Sequence, residues 1–503
     1  MPIPKSTSTQ SVQDFRAAVA ASFVTSGAVL LNVIDALTVG PRPKAPVEIT
    51  DSALFASSHN SLYQALRRAA DVLGEDIDAD DWLLELRKQR LAWLADHPPP
   101  PLREDLGAWK IRILDATNHP RPQVETVRGG SVHGADGMKP GMGLSVLAER
   151  VGEGSWTLPL EIAWMPPETG PTSFGAEQIK AFVEAHGWPA DYVLDVDSQS
   201  TARPFLKPVV AEGVHVLGRV RNNRCFYLPI KQYSGFGRPA QLGAKFKLND
   251  PKTHPRADRV ESWRLATGGR IEVWCWLDVR QQGWASQPLT LDQVIEYRAD
   301  GRRRSLRPLW LRFVAGQPRT AEARPVEAPT PRQAEAMYDE RFRVEQAIRF
   351  GKQELGLGSG QFNGLAAEGR EQTWVELGAT VYGLWWALRM VVDEQQATWP
   401  AWWRSRKLTP GAMRRLAAGL FLGLGWSKPA VKPRGKSPGR AKGATQERRQ
   451  RFKVYRVGAQ SLCKALIDPA IRLFWADVGH QLRSTLSKLV EVGRVKISPW
   501  KFS

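Results

Sequence analysis

Two short apolar runs, each ending in acid, set the frame of this chain. WKIRILDATNHP (109–120) places Asp115 directly after Ile111–Leu114, and DYVLDVD (191–197) closes on Asp195 and Asp197. Runs this short and apolar are expected as strands that end in polar residues. Between them, GLSVLAERV and WTLPLEIAWMP suggest two further strands forming a hairpin. SFGAEQIKAFVEAHG (173–187) has helical period and a glycine stop. After Asp197, TARPFLKPVVAEG reads as a short helix and GVHVLGRVRNN as another strand. Three strands, a helix, a strand, a helix and a strand predict a mixed α/β sheet.

Elements of other character flank this sheet. Residues 1–100 are expected to be a helical N-terminal region: SVQDFRAAVAASF, SHNSLYQALRRAADVLG with Ser57 or Ser58 as N-cap, and ADDWLLELRKQRLAWLADH. The apolar run 17–39 is expected as one buried helix, because Asn32 and Asp35 interrupt it and it lacks the basic flank of a signal peptide. Arg67 and Arg68 lie on a helix that reads more readily as packed than as the reading helix of a helix-turn-helix. Four prolines, Pro98–Pro101, close the region as a stiff spacer.

Residues 109–223 form the first part of the sheet domain, and 224–330 a β-rich insertion with runs such as RCFYLPI, RIEVWCWLDV and LRPLWLRFVA between Gly, Pro and basic loops. ARPVEAPTPR leads back to helix, and 331–395 form the second part. There TWVELGATVYGLWWALRMVVDE is an apolar helix whose Trp385 and Trp386 are expected in the core. Residues 396–503 are a basic arm and a terminal helix; Lys428–Arg456 holds eleven Lys/Arg and one acid, Glu447. The run GLGSGQFNG (356–364) has no Gly-Lys-Ser/Thr ending, so it is a helix stop and not a phosphate-binding loop.

With 503 residues the chain is long enough for about two to four domains. A net charge of +19, from 70 Lys+Arg against 51 Asp+Glu, makes nucleic acid the leading partner class. The three cysteines, Cys225, Cys275 and Cys463, form no C-x-x-C pair, which excludes a zinc knuckle and argues for a reducing compartment, the cytoplasm.

The second part of the sheet domain opens on YDERFRVEQAIRFGK, Tyr338–Lys352. At 100° per residue, Tyr338, Glu345 and Lys352 fall within about 40° and Arg341 within about 60° of Tyr338. Met337, Val344, Ile348 and Leu355 form the neighbouring apolar stripe, so the polar group borders the buried face. Two strand ends and one helix face can converge, and three converging carboxylates are what hard divalent cations select.

The spacing of Tyr338, Arg341, Glu345 and Lys352 resembles the Y-R-E-K signature of DDE transposases of bacterial insertion sequences. Those enzymes have an RNase H-like catalytic domain interrupted by a β-rich insertion before the catalytic Glu, and the order of elements here is similar over residues 109–370. The resemblance implies that Asp115, Asp197 and Glu345 are catalytic and bind Mg2+ or Mn2+, as two ions. Asp197 is preferred to Asp195 because Phe205 and Leu206 follow at the family's interval, although Ser200 stands where many relatives have Tyr. It also implies that Tyr338, Arg341 and Lys352 contact the DNA backbone. Arg219 and Arg221 alternate onto one strand face, read either as DNA-facing or as merely exposed.

The expected protein is a transposase of the bacterial cytoplasm, associated with the nucleoid. It cleaves transposon ends and transfers the strand into target double-stranded DNA, as a homodimer or higher multimer. An RNase H-like nuclease or resolvase without strand transfer, and a catalytically dead transposase-derived DNA-binding protein, are the alternatives.

Overall fold

In the computed structural model the description covers residues 6–426 and Gly443, apart from 24–25, 41, 44–45, 53, 73–81, 101, 121–129, 135–136, 167–168, 231–240, 319–326, 358–367 and 396–407. The basic arm, apart from Gly443, and the expected terminal helix lie outside the described residues, as does most of the run after Gly356.

The sheet is built around β1 (Lys110–Pro120). On one side β1 pairs antiparallel with β3 (Gly137–Arg150), which pairs in turn with β4 (Thr157–Met165) and with the short β2 (Gly130–Gly134). On the other side β1 runs parallel to β5 (Tyr192–Val196), and β5 parallel to β6 (His215–Val220). The order β4-β3-β1-β5-β6, with three antiparallel strands followed by two parallel ones, is the RNase H-like arrangement. Both parallel steps are made by short helices, α5 (Pro171–His186) and α6 (Arg203–Ala211). Gly187, at φ 74°, stops α5 where the sequence predicts it.

The insertion does not stand apart from this sheet. It contains β7 (Cys225–Tyr227), β8 (Lys245–Lys247), β9 (Arg259–Arg264), β10 (Arg270–Gln281), β11 (Trp284–Tyr297) and β12 (Leu309–Val314). β12 pairs antiparallel with β6, and β11, β10, β7 and β8 follow outward, so one twelve-stranded sheet runs from the hairpin to the far edge of the insertion. The free edge of β6 is thereby covered, which removes an aggregation-prone row of unpaired amides.

Helix α7 (Pro331–Glu354) lies across one face of the sheet. Thr330 and Gln333 form a reciprocal capping box at its start, with Pro331 in the first turn, and it stops at Leu355 before Gly356, at φ 69°. Behind it comes α8 (Glu368–Gln395), whose Trp385 is fully buried and donates to the Thr38 carbonyl at 3.0 Å. Trp386 packs edge-on against Trp156 at 5.1 Å, so both tryptophans belong to the core as expected. Helix α9 (Pro410–Gly423) packs beside α8.

The N-terminal helices α1 (Thr7–Ala21), α2 (Gly27–Val39), α3 (His59–Val72) and α4 (Trp82–Asp96) also pack on α8. Residues 17–39 are therefore two helices and not one. Ser22 caps α1 and hydrogen-bonds back to Ala18, and Ser26 sits at φ 57°, a left-handed geometry that no continuous helix contains. In α3 the Ser58 hydroxyl accepts from the Ser61 amide, making it the cap, while Leu62, Ala65, Leu66 and Ala69 are buried and Arg67 and Arg68 face outward.

Gly218 marks where β6 presses on its neighbours. A Cβ there would stand 2.6 Å from Thr201 Cγ2 and 2.8 Å from the Val196 carbonyl. Gly218→Ala is expected to destabilise the protein by about 1–3 kcal/mol, the usual range for overpacking a core. A thermal melt equal to that of the parent would refute this.

Candidate active site

Parallel pairing sets Ile113 beside Asp195, and alternation along each strand puts Asp115 and Asp195 on the same face. That is the face α7 covers. Leu114 points the other way, onto Gly175 of α5, and Val196 lies beside Gly218 of β6.

Asp115 is partly buried, and its Oδ1 accepts from the Ala116 amide at 3.0 Å. Burial pushes its pKa up to about 6; the Arg341 guanidinium opposes the rise, and repulsion from Asp197 and Glu345 adds to it. The charges of the other two acids named from the sequence therefore both reach Asp115. Asp197 lies just past β5, where its Oδ1 accepts from the amides of Gln199 (2.9 Å) and Ser200 (3.0 Å). It is a turn former, held by the backbone of the departure from Ser200 to α6. Glu345, half-exposed on α7, reaches the site from above.

Asp195 is different in kind. It is wholly buried, and neither carboxylate oxygen has a hydrogen-bond partner. Burial raises its pKa well above the usual range, against the pull of Arg341.

Arg341 is the positive centre of this group. Its Nη1 stands 4.0 Å from Asp115 Oδ2 and its Nη2 3.5 Å from Glu345 Oε1. The side chain is 9 % exposed, and the rings of Tyr338 and Phe342 lie 5.7 and 5.2 Å from its guanidinium carbon. Tyr338 is buried as well. Lys352 donates from Nζ to Thr117 Oγ1 (2.6 Å) and to the Asn118 carbonyl (2.8 Å), tying the end of α7 to the end of β1. Arg219 is exposed on the α7 side of β6, where its charge acts on Tyr338, and Arg221 is exposed two residues on.

The donors suit a hard divalent cation in kind, being carboxylates that repel one another. They do not suit it in spacing: among the described residues no three acid, thiol or imidazole side chains close on a common point.

A groove of about 1170 Å³ opens beside Tyr338 and Phe342 and runs under Arg219 and Arg221 to the loop 301–308. There Arg303, Arg304 and Arg307 are exposed around Leu306. Sequence reading saw only basic loops in this region; the signal was the density of GRRRSLR between two strands.

The described helices include none long and apolar enough to cross a membrane. The fold and the carboxylate face define an RNase H-like α/β protein with an acid-lined site. No family model matches the chain, and no curated protein does. Among solved structures it is similar to a piggyBac transposase seen by cryo-EM in a synaptic complex with hairpin DNA, at 11% identity, over 88% of this chain and 86% of that one, with a TM-score of 0.37. A likeness this distant leaves the reading to the site itself.

Proposed function

We propose that this protein is a DNA transposase: an endonuclease that cleaves at the ends of its element and joins them to target DNA. The observation that carries the reading is the placing of Asp115 on β1, Asp197 just past the neighbouring parallel strand β5 and Glu345 on the helix that crosses them, near enough that the charges of the latter two act on Asp115. Acids that repel one another cost stability, a cost that proteins tolerate at functional sites.

In this reading Asp115, Asp197 and Glu345 would be the residues that hold Mg2+ or Mn2+, as two ions. Such ions would supply an activated water and charge stabilisation for the leaving oxygen of a phosphodiester. The chain's own residues do the positioning. Asp197 is kept in place by its two backbone amides, and Lys352 fixes the end of β1 relative to α7. Arg219 and Arg221 line the groove and would bind backbone phosphates, which sets the register of a duplex without reading its sequence. Tyr338, Arg341 and Lys352 complete the DNA-contacting set, and a homodimer or higher multimer would hold the two ends together.

The deciding experiment incubates the full chain and Mg2+ with DNA carrying the sequences that flank its coding region, together with a target plasmid. Joined products support the proposal. Cleavage without joining would make it a nuclease, and binding without cleavage a DNA-binding protein only.

The groove makes a separate prediction. Each phosphate neutralised by a cation contributes about −0.9 to the slope of log K against log salt. Arg303→Ala with Arg307→Ala is expected to flatten that slope by up to about 2 for a non-specific duplex. An unchanged slope, measured by fluorescence anisotropy over a salt series, would remove the groove from the DNA path.

A further inference from the structure

Five arginines are buried among the described residues, and four of them face an acid. Arg90, Arg112 and Arg150 hydrogen-bond Glu376, Glu149 and Glu340 at 2.6–3.0 Å, and Arg341 stands between Asp115 and Glu345. Arg312, on β12, is the exception. It is 2 % exposed, and its Nη1 donates to Gln281 Oε1 at 2.8 Å, but among the described residues neither Nε nor Nη2 has a partner. The charge that acts on it is that of another cation, Arg224. Burial and that like charge push its pKa down to about 9, so it still carries its charge at neutral pH. The Phe226 ring, 5.8 Å from the guanidinium carbon, offers a weak attraction that does not neutralise it. A buried charge without a counter-charge is among the costliest groups a fold can hold, and a bound anion removes that cost.

We propose that Arg312 and Arg224 form an anion site on the face of the sheet away from α7, which binds a phosphate group between one buried and one exposed guanidinium. Strand pairing fixes the face. Leu311 pairs with Arg219, on the α7 side, and Arg312 pairs with Gly218, so Arg312 points to the opposite side. There β7 covers it with Phe226. This three-residue strand meets β10 at a single register pair, Tyr227 with Arg280, so a small outward shift opens the guanidinium to solvent. Arg224 is exposed just ahead of β7, after a turn closed by its amide on the Arg221 carbonyl at 3.1 Å. Arg221 in turn lines the groove. Phosphate is the class that fits, because it spreads negative charge over several acceptor oxygens and a guanidinium donates to it through two nitrogens at once, here the unused Nε and Nη2. It belongs either to a DNA strand that continues past Arg221 or to free inorganic phosphate. None of the three acids takes part, so the site stands or falls apart from the transposase reading.

The test titrates inorganic phosphate into the full chain by calorimetry, with chloride holding the ionic strength constant, in the parent, Arg312→Met and Arg224→Gln. The parent is expected to bind phosphate, Arg312→Met to lose the binding, and Arg224→Gln to weaken it on the order of tenfold, as loss of a hydrogen bond to a charged group does. No uptake by the parent overturns the proposal, and so does uptake that survives unchanged in Arg312→Met. If Arg312→Met does not fold, Arg224→Gln decides, because its side chain is exposed. Binding by Arg224→Gln equal to the parent's then overturns the proposal. Once uptake is seen, a second measurement identifies the source. A labelled non-specific duplex is followed by fluorescence anisotropy with and without saturating phosphate at constant ionic strength. Competition in the parent that vanishes in Arg224→Gln or Arg312→Met assigns the site to a DNA phosphate. Absence of competition assigns it to free phosphate, and either result supports the anion site.

Discussion

Replacing Asp115, Asp197 or Glu345 by Ala is expected to abolish DNA cleavage while leaving the fold intact. Residues that merely support a metal ligand cost about 10–100-fold when removed, so loss of a ligand itself is expected to cost more than about a hundredfold. The fold should survive because each removal relieves repulsion. Burial and the neighbouring acids already push Asp115 up to about 6, so its ionised form is one the protein holds at a cost. Asp115→Ala is therefore expected to melt at or slightly above the parent, and Glu345→Ala, half-exposed, close to it. Asp197→Ala is the exception: it frees the amides of Gln199 and Ser200 and is expected to melt slightly lower. Cleavage of a labelled duplex, with the melt of each variant beside it, separates lost chemistry from lost structure. Activity within threefold of the parent in all three variants would dismantle the site.

Asp195→Asn serves as the counterpart, because it tests which acid of the DVD pair does what. Asp195 lies under Arg341 with no hydrogen bond of its own, whereas Asp197 is held by two amides at the mouth of the strand. The sequence reading preferred Asp197 from the interval to Phe205 and Leu206, which lie buried in α6 immediately after the turn. If Asp195→Asn abolished cleavage and Asp197→Ala did not, the preference would reverse.

What could be read from the chain alone follows from range. Periodicity and stop signals are local, so the strands around Asp115 and Asp197, the α5 stop at Gly187 and the stripe of α7 were all legible. Strand pairing is not local. RCFYLPI and LRPLWLRFVA announce strands, but nothing in them says that Leu309–Val314 will turn back onto His215–Val220 and make the insertion an extension of the sheet. Residues 17–39 misled for the opposite reason: their apolarity is continuous while their backbone is not, since a left-handed serine leaves no mark on a hydropathy pattern. Within the site, helical geometry placed Arg341 and Glu345 on one stripe. It could not show that Arg341 is turned into the acids and nearly closed to solvent, because that depends on the height of α7 above β1 and β5. Glu376, in the middle of an apolar helix, has no periodic signal that marks its role, because its partners lie on a helix almost three hundred residues earlier.

Glu376 carries the largest expected effect on stability. It is fully buried on α8, and its carboxylate accepts from Arg87 (2.8 and 3.0 Å) and from Arg90 (2.6 Å), both on α4. Arg90 reaches further, to the Leu160 carbonyl on β4 at 2.7 Å, so one ion cluster joins the N-terminal helices, α8 and β4 of the sheet. Burial alone would raise the pKa of Glu376, but the two guanidinium groups more than offset it and hold the acid below its ordinary range. A depressed acid stabilises the fold fully above its unfolded value, near 4.3, and loses that contribution as pH falls through the lower folded value. Glu376→Gln takes from Arg90 its carboxylate in the core and leaves Arg87 only Glu161, at 3.5 Å, and breaking a buried pair in this way is expected to cost about 3–5 kcal/mol. Replacing Glu376, Arg87 and Arg90 together by apolar residues of similar size, with Glu161→Gln to neutralise the acid that Arg87 also faces at 3.5 Å, is expected to recover much of that loss, because the penalty lies in the unpaired charge and not in the absence of the bridge. Apparent Tm values at one scan rate check both statements. If the combined variant melted no higher than Glu376→Gln, the cluster would be contributing more than charge balance to holding α4 against α8 and β4.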